Sequence, residues 1–124
     1  MEYFTTLEHL HAEMVKELVK PGEDILEGLT PGAVHIVHMA MGIAGEAGEI
    51  IDAVKKAAIY NKDLDIPNMI EELGDIEFYL EGLRQQLSIS RDWTLQENIA
   101  KLRKRYGKRY SDQAAIARAD KVDS

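Results

Sequence analysis

Two pairs of carboxylates have the type and spacing to do chemistry. Glu46 and Glu49 stand in Gly45-Glu46-Ala47-Gly48-Glu49, and Glu72 and Asp75 in Glu71-Glu72-Leu73-Gly74-Asp75, three residues apart in each case. On an α-helix that spacing puts both members on one face, about one turn apart. Each pair is then a two-pronged oxygen ligand. Four carboxylates brought together repel one another unless a hard divalent cation lies between them, and Mg²⁺ or Mn²⁺ takes oxygen ligands and commonly serves phosphate chemistry. One acidic pair alone reads as a solvated face. Two pairs, each beside an apolar stripe and set among small residues, read as a metal site.

Other chemistries fall away. With no cysteine there is neither disulfide nor thiolate metal site. No glycine-rich phosphate loop follows a strand, and no Ser–His–acid pattern can be argued. His35 and His38 lack the Glu-x-x-His arrangement of a di-iron bundle and read as satisfied or exposed histidines. The chemistry left is metal-assisted attack of water on phosphorus. A formal net charge of −7 argues against nucleic acid as a partner, although a metal-neutralised site still admits a nucleotide. There is no basic-plus-apolar leader and no membrane-length apolar run, so the expectation is a cytoplasmic protein without a membrane partner.

The elements that must position these groups are all helical. Thr5 with Glu8 fits a capping box for a first helix carrying Leu7, Leu10, Met14 and Leu18 to about Lys20, where Pro21-Gly22 ends it. The acidic stretch to Gly28 reads as a connector. Thr30-Pro31 opens a long second helix with the stripe Ile36, Ala40, Ile43, Ala47, Ile50, Ile51, Val54 and Ala58. Gly42, Gly45 and Gly48 interrupt it, each costing about 1 kcal/mol against alanine. Either a tight helix crossing or room for a ligand accounts for them. Asp65 and Pro67 start a third helix with the seam Met69, Leu73, Ile76, Leu80, Leu83 and Leu87, the second acidic pair beside it. Thr94 with Glu97 reads as a capping box for a fourth helix. That helix is apolar at Leu95, Ile99, Leu102 and Tyr106, and basic at Lys101, Arg103, Lys104, Arg105, Lys108 and Arg109. Trp93 reads as a packing residue.

The fold class is therefore all-α, a four-helix-bundle-like module over residues 1–110 with a polar C-terminal tail over 111–124. At 124 residues it is one domain, small enough to benefit from assembly. Ile59, Tyr60, Phe78 and Tyr79 are better used against a second chain, so a homo-oligomer with a dimer as minimal unit is expected.

The combination of motifs resembles the MazG-like, all-α nucleotide pyrophosphohydrolases. Besides the two acidic pairs, the matching words are Gly42-Ile43-Ala44-Gly45, Glu71-Glu72-Leu73-Gly74-Asp75-Ile76 and Asn98-Ile99-Ala100-Lys101-Leu102-Arg103-Lys104-Arg105-Tyr106. The likeness covers roughly residues 30–110, and such single-module proteins are frequent in bacteriophages and bacteria, which would make the setting a host cytoplasm. It implies hydrolysis of a nucleoside triphosphate between the α and β phosphates, giving monophosphate and pyrophosphate. It implies Mg²⁺ (or Mn²⁺) on Glu46, Glu49, Glu72 and Asp75, with Glu46 or Glu49 taking the proton of the attacking water. It further implies phosphate binding by Asn98, Lys101, Arg105 and Tyr106, with Lys56 and, more weakly, His38 as substrate contacts. A homodimer or dimer-of-dimers tetramer is implied as well. dUTP or phosphoribosyl-ATP pyrophosphohydrolase activity is the near alternative, and a non-catalytic helical interaction module the distant one.

Overall fold

A computed structural model describes residues 6–121. Among these residues there is no strand, and the order is α1 (Leu7–Leu18), α2 (Gly22–Glu27), α3 (Pro31–Ile59), α4 (Ile66–Leu87), α5 (Arg91–Tyr106), α6 (Asp112–Ala117) and a closing 3₁₀ turn (Ala119–Lys121). The chain divides into two units, residues 1–34 and 35–124, the boundary falling in the first turn of α3.

The first unit carries α1 and α2. The expected cap, Thr5, lies outside the described residues. The cap observed is Thr6, whose hydroxyl accepts from His9 N–H at 3.0 Å. The helix stops at Leu18, short of Lys20, because Val19 is already extended, with ψ 127°. The stretch expected as a connector is the six-residue α2. Glu23 and Asp24 in its first turn complement the positive end of the helix.

The ends of the longer helices explain where the acids fall. Thr30, the residue before α3, accepts from Ala33 N–H at 3.1 Å, as the Thr-Pro pair predicts. Asp65 caps α4 through Asn68 N–H at 3.1 Å, with Pro67 in the first turn. Ser88 ends α4 in the left-handed region, at φ 57°. The start of α5 differs from expectation. Ser90, not Thr94, is the cap, accepting from Trp93 N–H at 3.0 Å. Thr94 lies inside the helix, its hydroxyl donating back to the Ser90 carbonyl at 3.0 Å. The earlier start carries Trp93 onto the helix, where it is 53% exposed rather than packed. Gly107 ends α5 at φ 66°, a conformation that favours glycine.

The packed faces of α3 and α4 include the acids themselves. Met39 is the one buried apolar side chain among the described residues. The line of reduced exposure on α3 runs Ile36, Met39, Ile43, Glu46, Ile50, Ala53, Ala57, and on α4 Met69, Glu72, Ile76, Leu80, Leu83. Leu73, expected in the seam, is 54% exposed. The helix has turned so that Glu72 takes the inner position. Two contacts fix the crossing. A Cβ on Gly42 would overlap the ring of Tyr79, and one on Gly82 would collide with Met39 Sδ. Gly45 and Gly48 have nothing within 4 Å of a Cβ. Thus Gly42 is explained by the crossing, while the other two leave open space.

Candidate metal centre

Glu46, from the middle of α3, and Glu72 and Asp75, from the first half of α4, each offer a carboxylate oxygen within 4.8 Å of the others. Glu46 and Glu72 are half-buried; Asp75 is exposed. Glu72 Oε2 is buried and has no hydrogen-bond partner. The Glu46 carboxyl beside it, then burial, and the like charges of Glu46 and Asp75 push the Glu72 carboxyl above the ordinary glutamate range. A buried carboxylate oxygen without a donor is costly. Carboxylate oxygens alone make a hard donor set, and a divalent cation is the group that would satisfy it. The residues present therefore fit a metal ion.

Glu49, one turn beyond Glu46, is not among the three. It is exposed and lines a cavity of about 460 Å³ with Asp52, Lys56, Lys62, Asp65 and Asn68. Lys56 is held by Asp52 at 2.9 Å, both largely exposed. That pair holds the Asp52 carboxyl below, and the Lys56 ammonium above, their usual ranges. Sequence reasoning does not single out Asp52; its four-residue spacing from Lys56 is the one signal that could have pointed to it. His38 lies edge-on to Tyr79 with ring centroids 6.2 Å apart, so it flanks the helix crossing. Tyr79, expected to be left for a second chain, is engaged by Gly42 within this one.

On α5, Asn98 and Lys101 line a second cavity, of about 550 Å³. Arg105 is gripped by Asp120, Nε donating to Oδ1 at 2.8 Å and Nη2 to Oδ2 at 3.3 Å. This fork raises the Arg105 pKa and holds the Asp120 carboxyl below its usual range. Tyr106 packs on Tyr110 with centroids 5.3 Å apart. Asp120 lies 15 residues from its partner, and no local pattern could have signalled it.

Two helices that bring three carboxylates together beside a buried, unpartnered oxygen define an all-α protein with a candidate cation site. Comparison gives the family. The model of the MazG nucleotide pyrophosphohydrolase domain matches residues 36–112, and the chain belongs to that family. It is 36% identical over 87 residues to the Gene 37 protein of Mycobacterium phage L5, covering 66% of this chain and 69% of that one. No solved structure gives a significant match. Membership implies a hydrolase acting on nucleotide pyrophosphate bonds and, typically, dependence on a metal. Among the described residues no helix is long and apolar enough to cross a membrane.

Proposed function

We propose that this chain hydrolyses nucleoside triphosphates between the α and β phosphates, releasing nucleoside monophosphate and pyrophosphate, with Mg²⁺ as the working ion and Mn²⁺ as a substitute. The observation that carries the proposal is the convergence of Glu46, Glu72 and Asp75 around the unpartnered Glu72 Oε2. These three would hold the ion. When bound, it supplies Lewis-acid polarisation of the phosphate and a lowered pKa for water. Glu49, one turn along the same helix, stands outside the converging oxygens and is suited to taking the proton from the attacking water. It serves as a further ligand if its side chain swings inward. Asn98 and Lys101 bind and orient the phosphates, Lys101 offsetting charge on the departing pyrophosphate, and Arg105, engaged by Asp120, and Tyr106 support that surface. Lys56, already held by Asp52, and His38, beside the crossing, are the remaining substrate contacts.

The site is completed by assembly. Ile51, Ile70 and Phe78 on α3 and α4 are each at least 65% exposed, which a second copy would cover. A homodimer, or a dimer of dimers, would also surround the phosphates with more protein and less screening water. Residues 1–110 form the catalytic module in this reading, with 111–124 as an extension. A host or bacterial cytoplasm, where nucleotides and Mg²⁺ are present, is the setting it requires.

The test is a nucleotide screen with Mg²⁺ or Mn²⁺ that follows pyrophosphate release. Turnover of common triphosphates supports the proposal. Activity confined to dUTP or phosphoribosyl-ATP narrows the substrate. No turnover of any nucleotide, with the fold intact, leaves a non-catalytic helical module.

A further inference from the structure

We propose that the C-terminal 3₁₀ turn completes a polyphosphate-binding pocket on α5, with Lys121 as a phosphate-contacting residue and Asp120 as the positioning residue that holds it there. The inference rests on the reading of Asn98 and Lys101 as phosphate contacts. It adds residues beyond the family match, which ends at 112. The Asp120 side chain is 5% exposed and Arg105 16%, and both carboxylate oxygens engage the guanidinium. A buried carboxylate needs such a fork, and this one pins the turn Ala119–Lys121 onto α5. Lys121 comes with it. Its Nζ lies only 3.9 Å from Asp120 Oδ2 and its side chain stays more than half exposed, free to turn to a ligand.

A structural clamp would explain Asp120 and Arg105 but not what surrounds them. The pocket of about 550 Å³ has Lys101, Lys104 and Lys121 on its walls, with Asn98 and Thr94. Glu97 and Asp120 are its carboxylates, and Asp120 is already matched by Arg105. Three lysines line one hollow of a chain whose net charge is −7, so this hollow is locally basic. An anion with several oxygens suits such a lining. The volume lies within the range of roughly 300–1,000 Å³ usual for small ligands. Ammonium groups spread over two elements suit the separated oxygens of a pyrophosphate or triphosphate better than one phosphate.

The full chain without metal, titrated with inorganic pyrophosphate in a calorimeter, tests this. Wild type should bind. Lys104→Ala and Lys121→Ala should each weaken binding about threefold to tenfold. Asp120→Asn should do the same, and Asp120→Glu should restore most of the loss. In hydrolysis, Lys121→Ala should raise KM several-fold with kcat nearly unchanged. Wild-type binding unaltered by Lys121→Ala and Asp120→Asn, or no binding by wild type, overturns the proposal. Orthophosphate binding as tight as pyrophosphate overturns the polyphosphate assignment. Even if Asp120→Asn loosens the turn, Lys121→Ala leaves the clamp intact and decides the matter. The two readings fail separately. Pyrophosphate binding through Lys121 without nucleotide turnover leaves the pocket and removes the activity; turnover with KM unmoved in Lys121→Ala does the reverse.

Discussion

Replacing Gly42, Gly45 and Gly48 by alanine, one at a time, separates a helix crossing from open space on the same helix. Each change removes the entropic penalty of glycine, a gain of about 0.5–1 kcal/mol. At Gly45 and Gly48 nothing opposes it, since no atom lies within 4 Å of the new methyl. At Gly42 the methyl meets the Tyr79 ring, and a flat ring held on a neighbouring helix cannot retreat as a flexible chain end would. Overpacking of that kind costs about 1–3 kcal/mol, so the net effect is a loss of about 1 kcal/mol. For a chain of 124 residues, each kcal/mol moves Tm by about 4 °C. Thermal unfolding followed by circular dichroism without metal should rank Gly45→Ala and Gly48→Ala above wild type and Gly42→Ala below it. Gly42 lies one turn from Glu46, so forcing α4 away from α3 should also weaken Mg²⁺ binding. Gly42→Ala as stabilising as the other two would refute the described crossing. Stabilised Gly45→Ala or Gly48→Ala protein that has lost activity would show that their open space is used by substrate or a second chain.

Mg²⁺ should raise Tm, by about 2.7 kcal/mol of stability at a hundred times its Kd. The effect should fade in acid, because the Glu72 proton competes with the ion. Without metal the sign reverses: the raised Glu72 pKa favours the fold while the group is protonated, and that contribution is lost as pH climbs through the raised value. Glu49→Gln should cut kcat at least a hundredfold with Tm nearly unchanged, while Glu77→Gln, away from the converging oxygens, should be near neutral; equal losses would mean a general structural effect. Light scattering should find a dimer or larger, and a fully active monomer would contradict the assembled site. If subunits exchange, mixing inactive Glu72→Gln and Lys101→Ala chains should restore activity when the two groups meet across an interface.

The long helices were legible because their ends carry side chains with one strong local use. Thr30 before Pro31, Asp65 before Pro67, and Gly107 at a left-handed end were readable from type and position alone. The start of α5 was not, because Ser90 and Thr94 are equally good caps four residues apart, and only the backbone decides which one stands outside the helix. The expected seam of α4 is observed at Met69, Ile76, Leu80 and Leu83 but not at Leu73 and Leu87. Leu73 looks like core by hydrophobicity, yet Glu72 is the half-buried residue there and Leu73 is exposed. The acidic pairs were visible as pairs, but that Glu46, Glu72 and Asp75 converge while Glu49 does not depends on the rotation of α3 about its axis. Asp120 was out of reach, because its partner is fixed by tertiary packing.

The most direct measurement is turnover of a triphosphate substrate in ¹⁸O-labelled water with Mg²⁺, the products read by ³¹P NMR and mass spectrometry. Attack of water at the α-phosphorus predicts label in the nucleoside monophosphate and unlabelled pyrophosphate, with turnover abolished in Glu46→Gln and Glu72→Gln. Release of orthophosphate and nucleoside diphosphate, or turnover retained in both variants, would contradict the account.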